Sequence, residues 1–463
     1  MRVANEETIA ALSTPVGESG IAVIRVTGPE ALAVVRRVFS PARAHRSDGD
    51  LEHHRVYHGY VVGGDEIVDE VMCAVMHGPD SYTGQDTVEI SCHGNSALVS
   101  RVLELLYGAG ARAAEAGEFT KRAFLNGKMD LIQAEAVADL IHSRSELQRR
   151  VAQAQLAGNL SKRINTLAAE LLDLLCVIEA NIDFIEDDID TLDVETSVEM
   201  LRRHGETLDE LLAGAEFSRP FREGYRVTIA GAVNAGKSSL FNRLVGESRA
   251  IVTEIPGTTR DVLREPLVFD GLLFILQDTA GLRGTEDRIE SIGVELARTA
   301  MSEADIVLYV VDATVPPPGD LDRTIEALDS DRAVVTLSKT DQPRGVTEAN
   351  LSARYPGRRI VETSAETGAG VDLLKKSLVE CVGRDQLNWV ARERVVLNTR
   401  LLATLREAAA QIAVLQKALE ERAPLEILAL DAREALGLYE AATGKRYSED
   451  LLDRIFSRFC IGK

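Results

Sequence analysis

The sequence predicts a multidomain chain of α/β and α+β class: an N-terminal α+β domain, a helical domain discontinuous in sequence, and an α/β domain inserted between its halves. Three observations predict this. Residues 1–118 mix short strand-like runs with Gly and Pro punctuation. From Gln133 to Ala180 there is almost no Gly or Pro and apolar residues recur every three or four positions, a texture that resumes from Leu387. Between these helical stretches a strand-like run leads into a glycine-rich loop, Gly231 to Ser238. The expected boundaries are 1–118, 119–217, 218–380 and 381–463, and insertion of one domain into another is tolerated because the ends of a compact domain lie close together.

The elements follow in order. Gly20 to Val26 and Val88 to Cys92 read as strands, and Ala97 to Tyr107 as a helix with Leu98, Val102 and Leu105 on one face. The texture changes near Phe119. Leu160, Ile164, Leu167, Leu171, Leu174 and Ile178 form one apolar stripe of a long helix, favouring a helix bundle over a coiled coil. Thr191 to Ala213 is a further amphipathic helix, as are Leu387 to Glu421 and Leu425 to Tyr439.

The 463 residues exceed what one hydrophobic core serves, and 45% hydrophobic with 27% charged residues is ordinary for a folded chain. Lys and Arg number 52 against 73 Asp and Glu, a formal charge of -21, which opposes broad coating of nucleic acid while leaving room for a local basic patch. Met1 to Ala11 lacks the pattern of a signal peptide. The most apolar stretch, Ala304 to Ala313, is interrupted by Asp305 and Asp312 and is too short to span a bilayer. Cys73, Cys92, Cys176, Cys381 and Cys460 form no CxxC pair, so a reducing cytoplasm and no membrane association are expected.

Chemistry concentrates in the inserted domain. Tyr225 to Ala230 reads as a strand entering the pattern GxxxxGKS, with helix-like sequence after it. Such a loop curls its backbone N–H groups around a phosphate, and the following helix N-terminus adds a favourable dipole. Asn234, Ala235, Gly236, Lys237, Ser238 and Ser239 are therefore nucleotide-site candidates. Lys237 suits the β and γ oxygens and the Ser238 hydroxyl suits magnesium. Leu272 to Gln277 reads as a buried strand leading into Asp278-Thr-Ala-Gly281, where Asp278 would hold magnesium through water and the Gly281 N–H would sense the γ-phosphate. Thr258 and Thr259 offer hydroxyls to complete the metal shell; a plain turn role beside Gly257 is the alternative for Thr258. Ser338-Lys339-Thr340-Asp341 follows the strand-like Ala333 to Leu337 and stands where a GTPase carries Asn-Lys-x-Asp. The Asp341 carboxylate accepts from guanine N1–H and the 2-amino group, a donor pair adenine lacks. Ser338 departs from that pattern, its hydroxyl being too short for the full set of amide contacts. Thr363-Ser364-Ala365 resembles the last guanine-contacting loop.

Along essentially its whole length the sequence resembles the bacterial and organellar tRNA-modification GTPase family (MnmE, formerly TrmE). The resemblance is carried by Gly117 to Leu131 (GEFTKRAFLNGKMDL), Ala250 to Arg264 (AIVTEIPGTTRDVLR), Asp278 to Arg283 (DTAGLR) and the ending Ile455 to Lys463 (IFSRFCIGK). It implies an N-terminal domain that forms a homodimer and binds formyl-tetrahydrofolate, a discontinuous helical domain and an inserted Ras-like P-loop GTPase domain. It further implies work with a separate FAD-containing partner protein, the two adding an aminomethyl or carboxymethylaminomethyl group at carbon 5 of the tRNA wobble uridine. Cofactors implied are GTP, Mg2+, K+ and the folate. Potassium would be held by Asn234 and by the loop of Thr253, Ile255 and Thr258, and a cation there offsets charge developing in the transition state. Glu290 aligns with the family's water-positioning glutamate, an exposed helical glutamate being the alternative; Arg283 is a switch candidate.

The same resemblance assigns Cys460 to tRNA modification, with a buried inert thiol as the alternative; Gly462 and Lys463 make a poor prenylation signal. It matches Arg25 to a folate-binding arginine, which could pair with a carboxylate of the cofactor. Glu118, Asn126 and Lys128 fall in the second signature as further folate-site candidates, with cap, ion-pair or interdomain roles as alternatives. Gln85, Asn95 and Val233 depart from the family pattern. A ribosome-assembly or regulatory GTPase without tRNA chemistry is the rival reading of the nucleotide motifs alone.

Overall fold

The computed structural model describes residues 7–42, 51–183, 192–213, 215–248, 264–278, 301–316, 325–327, 329–383 and 395–463. The chain forms two compact units, one made of Met1–Ala138, Gln155–Val198 and Gln411–Lys463, the other of Asp139–Ala154 and Glu199–Ala410.

The first unit opens with a seven-stranded sheet. Its strands are β1 (Ile9–Leu12), β2 (Ser19–Thr27), β3 (Phe39–Pro41), β4 (Arg55–Gly63), β5 (Glu66–Met76), β6 (Thr87–Gly94) and β7 (Arg112–Ala113), in the order β3-β4-β5-β6-β2-β1-β7. All neighbours are antiparallel except β1 and β7. Alternation does the sorting: Ala22, Ile24 and Val26 of β2 and Val71, Cys73 and Val75 of β5 turn inward onto α1 (Ala31–Val38) and α2 (Ser96–Gly108). Asn95 caps α2, its side-chain oxygen accepting from Ala97 N (3.0 Å) and Leu98 N (3.3 Å), so this departure from the family pattern has a helix to start. Burial pushes the Cys73 thiol up to about 12, the mark of a packing cysteine.

Helices α3 (Glu118–Leu125), α4 (Leu131–His142), α5 (Glu146–Leu156) and α6 (Asn159–Asp183) follow. The continuous helical texture from Gln133 is thus three helices. Ser145 and Gln148 break it, Ser145 Oγ accepting from Gln148 N (3.2 Å) while Gln148 Oε1 accepts from Ser145 N (3.2 Å), a reciprocal cap that starts α5. Gln133 Nε2 donates to the Leu156 carbonyl (2.9 Å) at the end of α5. All six stripe residues of α6 are buried. α6 packs along α13 (Leu425–Thr443), with Arg433 and Glu179 paired at 2.7 Å beside the seam. Each fully buried Leu or Ile of such a stripe contributes about 2 kcal/mol to holding the helix in place.

The second unit contains α5 up to Ala154, α7 (Val194–Ala213) from Glu199 onward, α8 (Ala215–Glu223) and a six-stranded sheet. Its strands are β8 (Tyr225–Gly231), β9 (Arg264–Phe269), β10 (Leu272–Asp278), β11 (Ile306–Asp312), β12 (Ala333–Ser338) and β13 (Arg359–Glu362), ordered β13-β12-β11-β8-β10-β9. Only β9 runs antiparallel to its neighbour. Near-continuous apolar runs such as Ile306 to Val311 suit strands covered on both faces. α9 (Lys237–Ser248) and α11 (Val371–Cys381) pack into the core of Val227, Phe274, Leu308 and Val334; α10 (Glu348–Arg354) lies with the Tyr309 and Val335 side. α12 (Thr399–Glu420) starts later than its periodicity suggests, because Val395 to Leu397 are buried non-helical residues and Asn398 Oδ1 accepts from Leu401 N (2.8 Å) to open the helix. The part of that expected helix between 387 and 394 lies outside the described residues. α14 (Glu449–Phe456), in the first unit, ends the chain's helices.

Candidate functional site

The glycine-rich loop leaves β8 and enters α9, as its motif requires. Gly231 has φ +139, and a Cβ there would stand 2.2 Å from the Val310 carbonyl oxygen on β11, so only glycine fits. Asn234 adopts a left-handed φ of 62. The Lys237 side chain is buried and folds over the loop, donating to the carbonyls of Gly231 (3.0 Å) and Ala232 (2.6 Å). Ala235 is buried, and Gly236, Ser238 and Ser239 continue into the first turn of α9. The loop is thereby a preformed cradle at a helix N-terminus with a captive cation.

Parallel pairing of β11 with β12 and β12 with β13 brings the base-reading candidates beside it. Asp312 stands opposite Ser338 at the carboxyl ends of their strands. Ser338 is buried and its Oγ donates to the Ala235 carbonyl at 2.5 Å, with the Val311 carbonyl at 3.2 Å. Lys339, at φ 58, donates to the Asn234 carbonyl (2.8 Å) and to Asp312 Oδ2 (2.6 Å). Burial raises the Asp312 carboxyl, but hydrogen bonds from Lys339 and Thr314 outweigh it and hold the group below its ordinary value. Asp341 is oriented by Ser364, whose Oγ donates to Asp341 Oδ1 at 2.6 Å. Thr363 pairs with Thr336 (2.9 Å) beneath, and Ala365 follows in the same loop. The brace through Asp312 escapes sequence reading, although a carboxylate ending the apolar run Ile306 to Val311 is its visible trace.

Asp278 ends β10, paired with Ile229 of β8; its side chain lies outside what is described. Thr253, Ile255, Thr258, Thr259, Gly281, Arg283 and Glu290 also lie outside the described residues.

A second cluster lies in the first unit. Arg25 on β2 pairs with Glu89 on β6 (2.7 Å) and lies over the rings of Tyr82 (5.1 Å) and Phe119 (5.6 Å). Its Nη1 is buried and has no hydrogen-bond partner among the described residues. Asn126 Nδ2 donates to the Thr83 carbonyl (2.7 Å), and Lys128 Nζ to the Pro79 carbonyl (2.9 Å), so both grip the loop that carries Tyr82. Glu118 is turned toward its own chain: it accepts from Arg112 Nη1 (3.1 Å) and Nη2 (2.8 Å), Arg122 Nη2 (2.8 Å) and Glu115 N (2.9 Å). Burial raises its carboxyl, yet these donors, Arg112 foremost, hold it below the ordinary range. Gln85, the other departure in this loop, accepts from Arg122 Nη1 at 3.1 Å. A glutamate and a glutamine each offer Arg122 an acceptor oxygen, so the exchange keeps the contact.

The end of the chain folds onto this cluster. Phe456 and Phe459 are buried against Phe124 and Leu131, and Ile461 bridges Ala116. The Cys460 carbonyl accepts from Gly117 N (3.4 Å) and from Lys463 N (3.3 Å), closing a turn, and Ser13 Oγ donates to the Gly462 carbonyl (3.0 Å). Cys460 is exposed. Lys463 is close enough to Arg25 that, after burial, the arginine's charge lowers its ammonium pKa, partly offset by Glu89 and Cys460. Arg25 and Cys460, far apart in sequence, are tied to the same short segment of one unit through Phe119, whose ring Arg25 covers, and Gly117, which donates to the Cys460 carbonyl. Among the described residues no three His, Cys, Asp or Glu side chains form a metal-binding group, and no described helix is long and apolar enough to cross a membrane.

Known proteins match this chain from end to end. The model described as MnmE helical domain matches residues 131–460, and that described as GTP-binding protein TrmE N-terminus matches residues 8–128. The tRNA modification GTPase MnmE of Geobacter sulfurreducens is 43% identical over 464 residues, covering 99% of each chain. That of Symbiobacterium thermophilum is 43% identical over 99% of this chain and 100% of its own, and that of Carboxydothermus hydrogenoformans 38% over the same shares. The G domain of the T. maritima FeoB iron transporter is 29% identical over 34% of this chain and 98% of its own, with a TM-score of 0.27, too low to bear on the fold. Matched over nearly its whole length by such relatives, and by both family models, this chain belongs to the MnmE family of tRNA-modification GTPases.

Proposed function

We propose that this GTPase couples its nucleotide cycle to the addition of an aminomethyl or carboxymethylaminomethyl group at carbon 5 of the tRNA wobble uridine, together with an FAD-containing partner protein. The observation that carries the reading is the docking of the last turn, which bears Cys460, on Gly117, two residues from the Phe119 ring that Arg25 lies over, in a chain that also holds a phosphate-loop cradle. In this reading residues 1–118 are a folate-binding-like dimerisation domain, 119–217 and 381–463 a helical domain, and 218–380 a Ras-like GTPase domain.

The chain's own groups divide the nucleotide work. Loop amides from Asn234 to Ser239 bind the phosphates and Lys237 exchanges its carbonyl partners for phosphate oxygens; a buried cation at a helix N-terminus fits a polyanion. Ser238, Thr259 and Asp278 would hold magnesium, which neutralises phosphate charge when bound. Asn234 with the loop of Thr253, Ile255 and Thr258 would hold potassium, which offsets charge at the bridging oxygen. Gly281 senses the γ-phosphate, Glu290 orients the attacking water and Arg283 follows the switch. Asp341, fixed by Ser364, reads the guanine donors, with Ala365 and Lys339 beside it.

In the first unit, the orphaned Arg25 Nη1 fits a carboxylate-bearing cofactor such as formyl-tetrahydrofolate, whose part is to supply a one-carbon group. Asn126 and Lys128 shape the covering loop, and Glu118 acts by fixing Arg112 and Arg122. Cys460 is exposed on the docked turn for chemistry on the base. Mass spectrometry of tRNA nucleosides from a deletion strain tests the reading: wild type restores the modified uridine and Cys460→Ser does not, while retaining GTP hydrolysis. Modification restored by Cys460→Ser removes the thiol from the chemistry.

A further inference from the structure

The buried hydroxyl at the end of β12 carries an inference about how this chain reads its nucleotide. Ser338 has one hydrogen to donate, and two main-chain carbonyls compete for it: Ala235 of the phosphate loop at 2.5 Å and Val311 of β11 at 3.2 Å. Guanine presents only acceptors, N7 and O6, on the edge away from its N1–H and 2-amino donors. A hydroxyl whose hydrogen is committed to backbone has nothing to give that edge, and its free lone pairs face an acceptor. Lys339 spends two of its three ammonium hydrogens on the Asn234 carbonyl and the Asp312 carboxylate, which hold it against the phosphate loop.

We propose that Ser338 braces the phosphate loop and takes no part in reading the base, so that selection of guanine by side chains rests on Asp341 with its positioning partner Ser364. The inference rests on the assignment of Asp341 as the guanine-reading carboxylate. Ser338 is a positioning residue in it: the strand end and the loop are joined through one hydroxyl, and N7 contributes almost nothing to affinity.

Full-length protein with magnesium tests this by competition between GDP and 7-deaza-GDP, in which N7 is replaced by C–H. In the wild type the two dissociation constants differ by less than about threefold; a difference above that, the size of one ordinary hydrogen bond, overturns the proposal. Ser338→Ala removes the brace and weakens both nucleotides by the same factor, about three- to tenfold. Unchanged affinity in that variant overturns the bracing role, and so does a loss confined to GDP. The wild-type comparison needs no substitution and decides the question if the variant fails to fold. Binding of neither nucleotide by folded wild-type protein overturns the guanine site itself, a failure distinct from a large 7-deaza effect at an intact site.

Discussion

Replacing Gly462 by alanine should release the chain's last turn from the first unit without unfolding it. Gly462 has φ +93, and a Cβ there would stand 2.1 Å from the Leu12 carbonyl oxygen and 2.9 Å from Ser13 Cα, both backbone of the β1 end. Neither can yield as a flexible side chain would, so the turn must move by about an ångström, and alanine at that φ adds about 1 kcal/mol of its own. Movement forfeits the Ser13 Oγ bond to Gly462 O and the Gly117 N bond to Cys460 O, each worth about 1 kcal/mol. The docked turn therefore loses ~2 kcal/mol or more relative to the undocked one, a factor of about thirty in their ratio. Phe456 and Phe459 stay in their core, so the fold survives. Hydrogen exchange at the Gly117 and Lys463 amides should accelerate by about that factor, with slow-exchanging amides of β2 and β6 unaffected. Wobble modification should fall while GTP hydrolysis stays. Unchanged exchange at Gly117 together with full modification would refute the docking argument.

Two further outcomes are expected. Exchange of potassium for sodium should sharply lower GTP turnover at constant ionic strength, measured by phosphate release, because the smaller ion fits the proposed Asn234 loop differently; equal rates in the two salts sink the cation site. Glu118 is held below its ordinary pKa, so its ion pairs stabilise the first unit fully above the unfolded carboxyl value, and that contribution is lost as pH falls from there through the folded value. Glu118→Gln should be less stable near neutrality and show a shallower acid transition in circular dichroism, and parallel acid curves would count against the network.

The parts of this fold legible in sequence are those whose cause is local. The stripe from Leu160 to Ile178 reads as a buried helix face because a 3.6-residue period needs no partner to be seen, and its six residues are buried. The phosphate loop reads the same way, since strand, glycines and lysine are contiguous. The break before α5 was also written in the sequence, as Ser145-Glu-Leu-Gln148, a reciprocal cap hidden by the apolar rhythm on either side. What could not be read depends on pairing across distance. Glu118 sits in a motif that by resemblance belongs to the folate site, but its carboxylate answers Arg112 and Arg122, and nothing in local spacing announces that. The commitment of Ser338 to the Ala235 carbonyl follows from the registers of β8, β11 and β12, and the docking of the last turn from pairing of Gly117 with the Cys460 carbonyl. Local rules specify elements; tertiary pairing decides which partner a polar side chain serves.

The guanine site is tested most directly by the base preference of Asp341→Asn in the full-length protein. An amide at this position donates to the C2 carbonyl of xanthine, whereas it meets the 2-amino group of guanine with a donor of its own. Affinity for GDP should fall by about two orders of magnitude, as expected when a polar pair is mismatched in a buried site, while xanthosine diphosphate binds better to the variant than to the wild type. Unchanged preference for GDP in the variant would contradict the assignment of Asp341, and with it the reading of this loop as the base site.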